Sequence, residues 1–166
     1  MDIVIDSDSL SEIMYQYFKQ NTNLEEFVVE GNLTTNTVNK LNSILYWFQE
    51  KEGGTQGLII SSTFAFIEIA RKFDQIVNGR FSIDQFAAFI NSPPEWFSIE
   101  PLDNSISFYL LQIPTHVSKK GTLIPLEWTD SIHIATTISR GDDSFLLTND
   151  TVIREITILK NRILHK

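Results

Sequence analysis

Short apolar runs, each followed by polar residues and then by a helical pattern, constrain the fold of this chain most. The runs are IVI at 3–5, LII at 58–60 and FLL at 145–147. Runs this short and apolar are typical of strands buried on both faces, as in parallel sheets. Their alternation with helical patterns predicts an α/β fold with a central, mainly parallel sheet between two layers of helices.

Apolar residues spaced by three and four predict the helices between these runs. The predicted helices cover residues 10–18, 37–51, 64–73, 74–91, 106–113 and 130–139, with further strands at 96–99 and 156–159 and loops at 20–36 and 115–125. Residues that often cap helices lie at 7–9, 61–63 and 82, and Asp103 or Ser105 suits the start of the helix at 106. Gly141 is expected to end the helix that Asp130 opens.

The length of 166 residues favours one domain, covering residues 1–166. The chain has no cysteine, which excludes disulfides and thiolate metal sites and is compatible with a reducing compartment. It has no apolar run of about 18 residues, so we expect nothing to span or bind a membrane. The first residues, MDIVIDSDS, carry acids where a signal peptide needs basic residues, which favours a cytoplasmic location.

The formal net charge of −8 argues against a strong nonspecific nucleic-acid binder, because phosphate contacts need Lys and Arg. Cations bound to clustered carboxylates would neutralise part of that charge. Basic residues are also concentrated in the last 27 residues, where a solvated tail is the alternative interpretation. They are Arg140, Arg154, Lys160, Arg162 and Lys166.

Three acids stand at predicted element boundaries, and a fourth stands inside an apolar helix. Asp6 and Asp150 follow predicted strands, Asp130 opens a helix, and Glu68 interrupts the apolar stretch FAFIEIA. Parallel strands would gather these acids at one edge of the sheet, where ligand sites of open α/β sheets lie. Clustered carboxylates repel one another unless cations lie between them, and oxygen ligands suit Mg²⁺ or Mn²⁺. Such ions support hydrolysis of phosphodiesters. For Glu68, solvent exposure or pairing with Arg71 or Lys72 is the alternative.

Four motifs in order resemble the PIN-domain nucleases, including VapC-type toxins. They are IVIDSDSLSEI, ISSTFAFIEIA, WTDSIHIATT and FLLTND, with SIEPL at 98–102 fitting the strand before the third acid. The family pattern maps onto Asp6, Glu68, Asp130 followed by Ala135, and Thr148 with Asp150. The interval from Asp6 to Glu68 is 62 residues, longer than in compact toxins of this type. We therefore expect a helical insertion around residues 20–57 of a single PIN-like domain.

The resemblance implies a metal-dependent endoribonuclease of the kind that includes the toxins of toxin–antitoxin pairs. Asp6, Glu68, Asp130 and Asp150 would be both catalytic residues and ligands of one or two Mg²⁺ or Mn²⁺ ions, and a water activated by the metal would attack an RNA phosphodiester. Thr148 would support a carboxylate or a water on the metal. Asp8, which stands where the family usually has Asn, would act as a fifth acid, a helix cap, or both. The implied partners are RNA, an antitoxin protein and a second copy of the chain; Arg140 and Arg154 are candidates for RNA contacts, with solvation as the alternative.

Two other functions fit parts of the sequence. A haloacid-dehalogenase-like phosphatase would use VIDSD with Asp6 as nucleophile, a Ser/Thr motif in LIISS, Lys119 or Lys120, and the acidic motif at 141–143. It requires a strand just before that acidic motif, where residues 129–139 predict a helix, and it leaves Glu68 and Asp150 unexplained. The third interpretation is a noncatalytic PIN-like binding module. His133 fits helix packing better than proton transfer.

Overall fold

The computed structural model describes residues 2–20, 58–159 and 161–164. The predicted loop at 20–36, helix at 37–51 and insertion at 20–57 lie outside these residues, apart from Gln20. In chain order the elements are β1 (Asp2–Ile5), α1 (Ser7–Gln20), β2 (Ile59–Ser62), α2 (Thr63–Arg71), α3 (Phe73–Val77), α4 (Ile83–Asn91), β3 (Phe97–Glu100), α5 (Asn104–Leu110), β4 (His116–Lys119), β5 (Thr122–Pro125), α6 (Trp128–Ser139), β6 (Ser144–Leu147), 3₁₀ turns at Ile153–Glu155 and Thr157–Leu159, and β7 (Ile163–Leu164).

The main sheet has five strands in the order β3-β2-β1-β6-β7, and every neighbouring pair is parallel. The three apolar runs form its centre, with Val4 opposite both Ile60 and Leu146. From β1 the chain builds outwards through β2 and β3, then returns to add β6 on the other side of β1. The strand order therefore reverses between β1 and β6, the place where open α/β sheets bind ligands.

Side chains alternate between two hydrophobic cores, one on each face of the sheet. On one face Ile3, Ile5 and Ile59 pack with apolar residues of α1, α2, α3 and α4. On the other face Val4 and Ile60 pack with residues of α5, the β4–β5 hairpin, α6 and the 3₁₀ turns. The predicted α/β fold, with a mainly parallel sheet between two helical layers, is confirmed.

Helix starts largely follow the predicted capping chemistry. The Ser62 side chain accepts from the Ala65 N–H, Ser82 forms a reciprocal capping box with Gln85, and Asp103 accepts from the N–H groups of two residues of α5. At α1 the predicted caps were Ser7 to Ser9, whereas Asp6 accepts the Ser9 N–H at 2.8 Å. The first acid of the proposed site therefore also caps a helix.

Three predictions about elements were wrong. The single helix predicted at 74–91 is broken by Asn78 and Gly79, which both have positive φ, into α3 and α4. The predicted loop at 115–125 is the β4–β5 hairpin, whose two-residue turn at Lys120 and Gly121 has φ of 52° and 80°. The predicted strand at 156–159 is a 3₁₀ turn.

The segment at 156–159 shows why an apolar run alone does not decide between strand and turn. Ile156 and Leu159 are buried, whereas Thr157 and Ile158 between them are exposed. Burial at a spacing of three matches a 3₁₀ turn, in which residues i and i+3 lie on the same side. The last strand follows later, at Ile163–Leu164.

Across the described parts of the chain, the helices are all too short or too polar to cross a membrane.

Candidate active site

A cleft of about 390 Å³ lies beyond the carboxyl ends of β1 and β6, where the strand order reverses. The four predicted acids, Asp6, Glu68, Asp130 and Asp150, all line it, although they come from four different parts of the chain. The other lining residues are Ser7, Asp8, Lys72, Ile76, Glu127, Thr129, His133 and Asn149. The fold thus brings together residues that are up to 144 positions apart (150 − 6).

Backbone N–H groups fix the two acids that follow the central strands. Asp6 Oδ1 accepts from Ser9 at 2.8 Å, at the N-terminus of α1, where partial positive charge favours a carboxylate. Asp150 Oδ1 accepts from the N–H groups of Val152 and Ile153 at 2.6 and 3.0 Å. Thr148 is buried, and its hydroxyl accepts the Asp150 N–H at 3.0 Å. Thr148 thus holds the turn that carries Asp150.

Glu68 reaches the cleft from α2 and has a partner on each carboxylate oxygen. The Ser7 hydroxyl donates to Oε2 at 2.5 Å, and the Lys72 ammonium donates to Oε1 at 2.9 Å. Burial alone raises the pKa of Glu68, but the hydrogen bonds from Ser7 and Lys72, together with the Lys72 charge, outweigh it and lower that pKa. Glu68 therefore forms the ion pair with Lys72 that was the alternative interpretation, and it also lines the cleft with the other three acids.

Asp130 is partly buried among other acids of the cleft. Burial, followed by the negative charges of Asp150, Glu127, Asp6 and Glu68, raises its pKa from 3.8 to about 7. Asp130 lies in the first turn of α6, where the helix dipole favours a negative charge. Burial and the neighbouring acids thus favour the protonated form of Asp130, against the influence of the dipole.

His133 lies one turn after Asp130 on α6 and lines the same cleft. Its side chain is only 2% exposed, and its ring lies 6.5 Å from that of Phe64, centroid to centroid. Burial lowers the pKa of His133, which keeps the imidazole neutral. Its Nδ1 atom has no hydrogen-bond partner among the residues that the structure describes.

The donor atoms of the cleft suit a hard divalent cation, because they are mostly carboxylate oxygens. Within residues 2–20, 58–159 and 161–164, however, no three Asp, Glu or His side chains are grouped so that they could hold one ion together. Mg²⁺ keeps several of its waters and is commonly bound through one or two carboxylates plus phosphate oxygens, so it does not require such a group. The chemistry of the donors therefore fits Mg²⁺ or Mn²⁺.

The two arginines predicted to contact RNA are not among the residues that line the cleft. Arg140 follows the last residue of α6 and binds Asp2, at the start of β1, and Glu100. Arg154 lies in a 3₁₀ turn, and its Nε is buried without a hydrogen-bond partner in the described part of the chain. Asp8, the predicted supporting acid, does line the cleft.

The alternative acidic motif at 141–143 lies at the opposite end of the sheet from Asp6. It precedes β6, and the Asp143 carbonyl accepts the N–H of Asp2, the first residue of β1. Residues 129–139 form a helix, as predicted, rather than the strand that the phosphatase arrangement requires. The fold therefore does not bring the acidic motif of that alternative to its nucleophile.

Among the residues at or beside the cleft that sequence reasoning did not identify as functional candidates, three make contacts that bear on the site. Ser7 and Lys72 hold Glu68, and Trp128 is 66% exposed between two cleft residues, Glu127 and Thr129. The Trp128 ring contacts Phe64 edge-on, with centroids 4.8 Å apart. The spacing of Lys72 four residues after Glu68 was the available signal, and for Trp128 it was the position two residues before Asp130.

Comparison of the chain with protein-family models and with curated protein sequences finds no match. The resemblance to PIN-domain nucleases therefore rests on the four motifs and on the order in which they occur.

Proposed function

We propose that this chain is a metal-dependent endoribonuclease of the PIN-domain type, which hydrolyses RNA phosphodiesters. The observation that carries the proposal is the convergence of Asp6, Glu68, Asp130 and Asp150 on one cleft at the reversal of the strand order. Bound through one or two of these carboxylates together with phosphate oxygens and waters, Mg²⁺ or Mn²⁺ would supply activation of a water and neutralisation of charge on the phosphodiester.

The chain's own residues give this cleft the rigidity that a catalytic site needs. The backbone N–H groups of Ser9, Val152 and Ile153 orient the carboxylates of Asp6 and Asp150. Both acids follow short strands in which three of the four residues are buried, so the core fixes the position of the backbone that leads to each acid. Sites built on such elements hold their reacting groups more accurately than sites on free loops.

Two features beside the cleft support a nucleic-acid substrate. Trp128 offers an exposed ring, braced by Phe64, on which a nucleotide base can stack. The Lys119 ammonium donates to the hydroxyl of Thr151, the residue after Asp150, at 2.6 Å. A cation at this edge is suited to a backbone phosphate. Lys119 is thus a better candidate for phosphate contact than Arg140, whose guanidinium binds two carboxylates.

The resemblance extends the proposal to the biological role. It suggests a toxin that acts on RNA in the cytoplasm, is held inactive by an antitoxin protein, and forms a homodimer. A gene for a small DNA-binding protein directly upstream would support the toxin role. Absence of such a neighbouring gene would argue against the toxin role but not against the nuclease activity.

Cleavage of labelled RNA by the purified chain in Mn²⁺ tests the reaction. We expect Asp6→Asn and Asp130→Asn each to reduce the rate to about one hundredth or less, and EDTA to abolish cleavage. Asp84→Asn is the matched control, because Asp84 is an exposed acid in the first turn of α4, outside the cleft. Cleavage that persists in EDTA, or in Asp130→Asn, would contradict the proposal.

The two alternatives give different results in the same assays. An aspartyl-phosphate on Asp6 after incubation with a phosphomonoester would indicate the phosphatase. Mn²⁺ binding and RNA binding without cleavage would indicate the noncatalytic module.

A further inference from the structure

Among the described residues that line the cleft, Lys72 carries the positive charge. Its ammonium lies 2.9 Å from Glu68 Oε1, and it lines the cleft together with six acidic residues. A lysine ammonium is charged across the neutral range, and this one occupies a carboxylate oxygen of Glu68 that a divalent cation would use.

The backbone of Lys72 is fixed, whereas its side chain has room to move. Lys72 joins α2 to α3: its N–H donates to the Glu68 carbonyl, and its carbonyl accepts from Gln75 and Ile76 at 3.0 and 2.9 Å. The side chain is 55% exposed, against 17% for that of Glu68. Rotation of the lysine stem alone would release Glu68 Oε1 without changing the fold.

We propose that the Lys72 ammonium is a built-in counter-ion of the cleft, which holds Glu68 until a divalent cation displaces it. This inference rests on the proposed function, since it takes a divalent cation as the ligand of the cleft. Two cations cannot share Glu68 Oε1 without repulsion, so the Lys72–Glu68 ion pair and the bound metal exclude one another. Lys72 is thus a positioning residue that sets how tightly the metal binds and keeps the metal-free acids from repelling one another.

Binding of Mn²⁺ alone, measured by isothermal titration calorimetry at fixed ionic strength, tests the inference without any activity assay. We expect Lys72→Gln to bind Mn²⁺ roughly 3- to 10-fold more tightly than the wild type, because it loses both the competing ion pair and the positive charge. Lys72→Met should show the same gain, and Lys72→Arg, which keeps the charge, should show none. Arg71→Gln is the matched control, since it removes a charge from the neighbouring exposed position, which does not line the cleft.

Thermal unfolding in EDTA provides a second measurement. Removing Lys72 should lower the melting temperature of the metal-free protein, and saturating Mn²⁺ should raise it by more than it raises that of the wild type. A residue that merely stabilises α2 would lower both temperatures equally. Equal Mn²⁺ affinities of the wild type, Lys72→Gln and Lys72→Met would overturn the inference and leave the proposed function standing. Failure of every variant and of the wild type to bind Mn²⁺ would overturn both.

Discussion

Acidic residues near the start of β1 are paired with an arginine, whereas those beyond its end outnumber the basic residue beside them. At the start of β1, Arg140 donates from Nε and Nη2 to Asp2 Oδ2 at 3.1 and 2.7 Å, and from Nη1 to Glu100 at 3.3 Å. The hydrogen bonds that Arg140 donates to Asp2 raise the pKa of Arg140. At the other end, beyond Ile5 and beside the first turn of α6, six acidic residues line a cleft in which Lys72 supplies the counter-charge among the described residues.

This difference separates a structural use of charge from a functional one. Two acids that share a guanidinium join β1, β3 and the end of α6 and need no further partner. The negative charges of the six acids exceed the one positive charge of Lys72. Their mutual repulsion adds to burial in raising the pKa of Asp130. Perturbed groups gathered in a cleft are more often found where a ligand or a reaction uses them. We call the cleft with its six acids and Lys72 the unmatched end, and the Arg140–Asp2–Glu100 cluster the matched end. The unmatched end is therefore where we expect a cation and a substrate to bind.

The largest effect in this comparison is expected at the rim of the unmatched end. Trp128→Ala should weaken binding of labelled single-stranded RNA about 10-fold or more, since stacking of one base contributes roughly 1–3 kcal/mol. Fluorescence anisotropy in Mn²⁺, on the cleavage-deficient Asp6→Asn background, measures the affinity. Trp128→Phe should keep most of it.

Leu111→Ala provides the control for this prediction, because Leu111 is another large exposed apolar residue but does not line the cleft or flank its lining residues. It should leave the affinity for RNA unchanged. An equal loss in both variants would show that exposed apolar surface in general, rather than the rim of the cleft, binds the RNA.

A smaller effect is expected when the ion pairs of Arg140 at the matched end are removed. Arg140→Met should lower the free energy of unfolding by about 1–2 kcal/mol, because it leaves two half-buried carboxylates without their shared cation. Urea unfolding followed by circular dichroism measures this loss. Cleavage of RNA by the folded variant should stay at the wild-type rate. A drop in that rate, with the fold intact, would restore Arg140 as a substrate contact.

The sequence predicted the architecture and the four acids because both depend on local patterns. Apolar runs of three residues identified β1, β2 and β6, and an acid directly after a strand or at a helix start identified Asp6, Asp130 and Asp150. Glu68 was recognised because it interrupts an apolar helix. Each of these signals lies within a few residues, and parallel pairing then places the strand ends at one edge of the sheet.

The features that the sequence did not predict depend on contacts between distant elements. Ser7 of α1 meets Glu68 of α2 across 61 positions, and no local pattern pairs them. The charge of Arg140 was assigned to RNA because its partner Asp2 lies 138 positions away. The hairpin at β4 and β5 was missed because Lys119, Lys120 and Gly121 make its centre polar, as in a loop, and most of its strand residues are exposed, with Val117 the buried member of β4.

The smallest effect should appear in the pH dependence of stability at the unmatched end. The pKa of Asp130 rises from 3.8 to about 7, through burial first and then through the neighbouring acids. Between these values the native protein binds more protons at this residue than the unfolded chain does. The contribution of Asp130 to the unfolding free energy is therefore neutral below about pH 4, becomes unfavourable as the pH rises, and is fully unfavourable above about pH 7.

Asp130→Asn removes that contribution, so in EDTA the variant should be more stable than the wild type at pH 8 and equally stable at pH 4. The expected difference is on the order of 1 kcal/mol, discounted because Asp130 is partly exposed to solvent. Both proteins keep His133, so its own pH dependence cancels in the comparison, and Asp84→Asn should follow the wild type throughout. Mn²⁺ should reverse the order at pH 8, because the cation stabilises the four-acid cleft and not the variant. Equal stability of the two proteins at pH 8 in EDTA would show that neither burial nor the neighbouring acids destabilise the Asp130 carboxylate.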